Sequence, residues 1–141
     1  MNCKQMSILL VEPDDYDLSV TAALIENCPQ PFTLLTARNH EEAVQKLGYF
    51  RPDLILTELS LSEGSELQAL EMIVEAAGNI PVIVLSSWAL SYLDLDAIQC
   101  GAEDFLTKGD IDEETLGRSI KFAIERTKRF VRTSVRGVAA S

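Results

Sequence analysis

Short apolar runs alternate with stretches of helical spacing from one end of the chain to the other. Ser7–Val11 (SILLV) reads as a buried strand, bounded by Pro13 and the acidic cluster Asp14, Asp15 and Asp17. Residues 14–27 follow as a helix with Leu18, Ala22 and Ile25 on one face. Phe32–Thr36 is a second strand, and Asn39 opens the next helix with Glu42 three residues on, the spacing of a capping box. Asp53–Thr57 (DLILT) is a third strand, leading through a loop at 58–64 into a helix over 65–77 with Leu67, Leu70 and Val74 on one face. Gly78-Asn79 ends that helix, and Ile80–Ser86 (IPVIVLS) is the fourth strand. A fourth helix over 88–100 stops at Gly101, Glu103–Leu106 forms a short fifth strand, and a last helix begins near Asp112. Its core stripe is Leu116, Ile120, Ala123, Ile124 and Thr127.

Five short strands, read as buried on both faces and each followed by a helix, predict an open parallel sheet flanked by helices, a (βα)5 α/β domain. In such sheets the working site lies beyond the carboxyl ends of the strands, near the point where strand order reverses. Glu12, Pro13, Asp14 and Asp15 follow strand one, Glu58 follows strand three, Ser86 and Ser87 end strand four, and Thr107, Lys108 and Gly109 follow strand five. Carboxylates, a hydroxyl and a lysine around one cleft suit phosphoryl chemistry. Carboxylates hold a divalent cation, while the hydroxyl and ammonium meet phosphoryl oxygens.

Composition agrees with a folded domain. With 47% hydrophobic residues in 141, the chain is a globule rather than a disordered segment, and it is long enough for a real core. No apolar run is long enough to span a bilayer, and no secretory leader is recognisable, so a cytoplasmic location is expected. Cys3, Cys28 and Cys100 lack metal-like spacing and read as small buried hydrophobes or idle thiols. His40, beside Asn39, suits a surface or capping place. Charge is split: residues 1–120 carry 6 Lys/Arg against 21 Asp/Glu, a net of −15, and residues 121–141 carry 6 against 1, a net of +5. The acidic body repels nucleic-acid phosphate. The basic end reads as a solvated helix end, or as a contact for an acidic partner or a membrane surface. A boundary is expected near 130, where clear apolar periodicity fades, giving a domain over 1–130 and a basic tail or helix extension over 131–141.

The segments PDLILTELSLSEGSEL at 52–67, IPVIVLSS at 80–87 and GAEDFLTKG at 101–109 resemble the receiver domains of two-component response regulators, from about Ser7 to Arg126. The resemblance implies the flavodoxin-like doubly wound sheet. It puts Glu58 at the phosphoacceptor position, Ser86 and Phe105 at the two switch positions and Lys108 at the lysine of the cleft. Family members are phosphorylated on an aspartate, with magnesium held partly by an acidic pair after strand one. Here the acceptor is Glu and the pair becomes Glu12 and Pro13, while Ser62 and Gly109 replace two customary prolines. Proline has no side-chain oxygen to offer. Glutamate reaches about 1.5 Å further than aspartate, and a misplacement of ~1 Å costs in-line transfer about a hundredfold. Magnesium binding is therefore expected to be lost or weak, with no cofactor and no metal site, and Asp14 is the one neighbour to consider in an acidic pocket with Glu12.

The expected function is a non-enzymatic, phosphorylation-independent interaction module in signal transduction. It would dock a protein partner, or a second copy of itself, through its fourth helix, fifth strand and fifth helix. Trp88 and Tyr92, one turn apart, are either ordinary packing or an exposed recognition edge. Phe122, off the core stripe and near Arg126 and Arg129, is either a contact residue or a partly buried flank. Glu58 imitates part of a phosphorylated aspartate or is a plain solvent-facing acid. The alternative is a receiver that still takes a phosphoryl group from a histidine kinase, through Glu58 or near Asp14. A small flavodoxin-like enzyme would need a glycine-rich phosphate loop, and neither GxGxxG nor a P-loop occurs.

Overall fold

The computed structural model describes residues 5–59 and 66–140. Strands β1 (Met6–Val11), β2 (Phe32–Ala37), β3 (Leu54–Glu58), β4 (Val82–Ser86) and β5 (Asp104–Thr107) form one parallel sheet in the order β2-β1-β3-β4-β5. Helices α1 (Asp15–Glu26), α2 (His40–Leu47), α3 (Glu66–Ala77), α4 (Asp94–Gln99) and α5 (Glu113–Ala140) connect and follow the strands. This is the doubly wound, flavodoxin-like (βα)5 architecture. Ser62 and most of the loop expected at 58–64 lie outside the described residues.

Period-two alternation divides each central strand between two cores. Leu9, Val11, Ile55, Val82 and Val84 face α2, α3 and α4, together with Ala43, Leu47, Leu70, Ile73 and Ala97. Ile8, Leu10, Leu54, Leu56, Ile83 and Leu85 face α1 and α5, where Ile25, Leu116, Ile120, Ala123 and Ile124 meet them. Both sides of β1, β3 and β4 are thus consumed by packing, and only the strand ends are left for chemistry.

The helix starts follow the sequence closely. Asn39 accepts a bond from the Glu42 N–H at 2.8 Å, but Glu42 returns its carboxylate to the Arg38 N–H at 3.0 Å, one residue before the position a capping box uses. That backbone bond, aided by Lys46, holds the Glu42 carboxyl below the usual range. The Thr115 N–H does the same for Asp112 at the start of α5. Burial, then the charge of Glu113, pushes the Cys28 thiol up; burial, then Glu71, does so for Cys100.

Several expected bounds need correcting. The third strand runs Leu54–Glu58, one residue later than Asp53–Thr57, so Glu58 ends the strand rather than opening the loop. The fourth strand begins at Val82, not Ile80; Pro81, without an N–H, contributes only its carbonyl, to Ile55 N. The fourth helix is shorter than 88–100: Trp88–Leu93 winds as a 3-10 segment, opened by Leu90 N–H to the Ser87 carbonyl with no side-chain cap, and α4 proper follows. β5 is shifted one residue later than expected, Glu103 serving as its entry through a bond to the Val82 carbonyl. Helix α5 continues without interruption across residue 130 to Ala140. Among the described residues no helix is long and apolar enough to cross a membrane.

Candidate functional site

Strand order reverses between β1 and β3, and the ends of β1, β3 and β5 open onto one cleft. Glu12 leaves β1 through a bond from its N–H to the Ala37 carbonyl and is almost fully buried. Glu58 is the last residue of β3. Lys108 leaves β5 with its N–H bonded to the Ser86 carbonyl at 2.7 Å, which fixes its stem over the end of β4. Three separate strands therefore bring an acid, an acid and a lysine to the same point.

The Lys108 ammonium is the centre of the site. Its Nζ lies 2.7 Å from Glu12 Oε1 and 2.9 Å from Asp17 Oδ2, and it bonds Glu58 as well. The three carboxylates offer oxygens that all lie within 4.8 Å of one another. Three carboxylates against one ammonium leave a formal excess of two negative charges. Glu12 is 2% exposed, Glu58 11% and Asp17 41%, so the cluster grades from dry to wet toward its mouth.

Asp17 was not singled out by the sequence reading, and Asp14 does not fill the place considered for it. The Asp14 carboxylate caps α1, accepting from the Asp17 N–H at 2.8 Å, while its own N–H donates to Glu12 Oε2. Asp15 pairs with Arg38 at the surface. Asp17 lies three residues beyond the cap, where one helical turn carries a side chain back over the cleft. The signal was the spacing itself, an acid one turn into a helix that starts at the cleft.

The two switch positions are placed differently from each other. Ser86 is fully buried, and its hydroxyl donates to the Ser87 carbonyl at 3.3 Å rather than to Glu58. Phe105 is half-buried on β5 and lines, with Asp94, Leu95, Ile98 and Asp104, a shallow groove of about 290 Å3. The residues considered for contact are open to solvent: Trp88 is 77% exposed, Tyr92 72% and Phe122 51%. Arg126 pairs loosely with Glu103 at 3.5 Å. Both aromatics near α4 thus belong to an exposed edge, and Phe122 is not a core residue.

Comparison with known proteins agrees with this layout. The response regulator receiver domain family matches residues 8–121. The chain is 34% identical over 101 residues to the transcriptional regulatory protein YdfI of Bacillus subtilis, covering 72% of this chain and 46% of that protein. It is 31% identical over 109 residues to a protein-glutamate methylesterase/protein-glutamine glutaminase of Treponema pallidum, covering 76% of this chain and 27% of that one. The chain spans about half or less of the length of these curated relatives. Among solved structures, a signal receiver domain from Vibrio parahaemolyticus superposes with a TM-score of 0.76 at 25% identity, over 92% of this chain and 98% of that one. The receiver domain of a sensor histidine kinase of Pseudomonas aeruginosa, solved with a magnesium ion in its active-site cleft, does so with 0.72 at 24% identity, over 86% and 99%. A match running unbroken from the first strand into the last helix means that this chain belongs to the response regulator receiver domain family of two-component signalling.

Proposed function

We propose that this receiver domain signals without phosphoryl transfer, as an interaction module whose cleft is closed by its own lysine. The observation that carries this reading is the single ammonium bonded by all three carboxylates, Glu58 among them. A phosphoacceptor must present a free oxygen in line with the donor, and a metal-assisted transfer needs a cation beside it. Magnesium takes near-octahedral oxygen ligands at about 2.0–2.1 Å. The donor set does not fit that ion: its oxygens converge on Nζ, two cations do not share so small a space, and Pro13 supplies no ligand.

With Glu58 held to Lys108 and the Ser86 hydroxyl bonded to its neighbour's carbonyl, the switch residues have no ligand event to answer. The domain then acts through a face that stays in one state. The exposed Trp88 and Tyr92, and on α5 Phe122 with Arg126 one turn further on, suit a protein partner, since Trp, Tyr and Arg are enriched among the residues that carry interface energy. No reaction is assigned to the domain itself. Intact-mass spectrometry after incubation with a small phosphodonor and magnesium tests this reading. The unmodified mass is expected; a species heavier by one phosphoryl group, mapped to Glu58, would sink the reading.

A further inference from the structure

The helical segment after β4 carries two apolar stripes. Leu90 and Ala97 are buried, with Leu93 packed against the same core. Trp88, Tyr92, Leu95 and Ile98 recur every three or four residues and are all exposed, Leu95 by 63% and Ile98 by 42%. A helix that has buried one stripe ordinarily turns polar residues outward, so four large apolar side chains in line make an uncovered strip. From Trp88 to Ile98 it is roughly 15–20 Å long. Along it, Leu95 and Ile98 meet Asp94, Asp104 and Phe105 in the shallow groove of about 290 Å3. The rim of this groove has one sign of charge. Between Arg51 and Lys108 the chain holds ten acids and no lysine or arginine. Asp94 and Asp104 accept only from the N–H of the next residue, at 2.6 and 2.8 Å. Among the described residues neither they nor Asp96 has a Lys or Arg within ion-pair distance, whereas Glu103 pairs with Arg126 and Glu114 with Arg118.

We infer that this strip seats a basic amphipathic helix of a partner protein, its apolar residues over Tyr92, Leu95 and Ile98 and its lysines or arginines on Asp94 and Asp104. Charge selects the occupant. An anionic bilayer, a nucleic acid or an acidic peptide would bring like charge against Asp94, Asp96 and Asp104, while a basic helix supplies the cations these acids lack. A second copy laid strip on strip would be isologous and would face the same acids with themselves. Spacing selects the partner's shape. Apolar side chains three and four apart form a ridge that fits beside the ridge of another helix, and a run of this length matches about three turns of it. Both parts are needed, since the apolar line gives area and the acids give orientation. The steering is long-ranged as well, because residues 1–120 carry a net charge of −15. The inference rests on the reading of this domain as an interaction module and names the chemistry of its partner.

The probe is a fluorescein-labelled, alanine-based helical peptide of roughly 15 residues, with leucines three and four apart and lysines beside them. Anisotropy titration with the full chain should show saturable binding, and the same peptide with glutamate for every lysine should not bind. Asp94→Asn with Asp104→Asn keeps an acceptor oxygen at both places and should weaken the lysine peptide about tenfold. Leu95→Gln, at an exposed position, should weaken it by a similar factor and leave the melting temperature unchanged. No saturable binding of the lysine peptide, equal binding of the glutamate peptide, or indifference to both variants would each overturn the inference. So would a dimer in sedimentation equilibrium that Leu95→Gln dissolves, which would give the strip to a second copy. The two readings fail separately: lost peptide binding with an unmodified intact mass after phosphodonor treatment overturns the partner's chemistry alone, and a phosphoryl adduct on Glu58 overturns the phosphorylation-independent module whatever the peptide does.

Discussion

Replacing Lys108 by methionine keeps most of the apolar stem and removes only the charge. In the native cleft that charge faces three carboxylates whose oxygens lie within 4.8 Å of one another. Two like charges about 5 Å apart at an effective dielectric near 20 repel by ~3 kcal/mol, and the variant leaves three such pairs. Relaxation lowers the sum, because Asp17 is 41% exposed and can turn to water, whereas Glu12 at 2% cannot. Stripping the partner from a buried ion costs ~3–5 kcal/mol, and we expect a loss near the lower end, ~3 kcal/mol, at about pH 7.5. Urea unfolding followed by far-UV circular dichroism at that pH measures this. A loss below ~1 kcal/mol would show that the ammonium does not hold the cluster together.

The remaining expectations concern the acceptor, the docking face and the helix caps. Pro13→Asp with Glu58→Asp should restore measurable labelling by a small phosphodonor, with neither single change sufficient; an inert double variant would place the defect elsewhere in the cleft. Ile120→Ala, fully buried on α5, should destabilise the fold by ~2–5 kcal/mol, while Phe122→Ala should leave the melting temperature nearly unaltered and weaken partner capture; equal melting losses would make Phe122 a packing residue. Glu42 and Asp112 both titrate below their ordinary values, so their contribution is full at neutral pH and fades as pH falls through those lowered values. Asn in place of Asp112, which keeps a capping oxygen, should flatten part of the acid limb of a stability-against-pH curve; an unchanged limb would remove the cap from the account.

Much of this was legible in the chain because strands buried on both faces leave little ambiguity of register or class. SILLV, DLILT and IPVIVLS each split cleanly between the two cores, and Asn39 with Glu42 marked a helix start to the residue. Glu58 and Lys108 were legible as cleft residues because strand ends in a parallel sheet converge. Asp17 was not, since reading only strand ends overlooks a helix whose first turn folds back over them, and since the acid nearest the strand, Asp14, is spent on the cap. The winding of Trp88–Leu93 was hidden because a 3-10 segment leaves almost the same apolar spacing as an α-helix over six residues. Residue 130 marks no break in the backbone: past it the apolar positions thin to valines, and that weakens the periodic signal without stopping the helix.

Calorimetric titration of magnesium into the native protein and the Lys108→Met variant tests most directly whether the cleft already holds its own cation. The native protein should give no saturable heat at millimolar magnesium, and the variant, with three carboxylates and no ammonium among them, should bind. Saturable binding by the native protein with Lys108 in place would contradict the account.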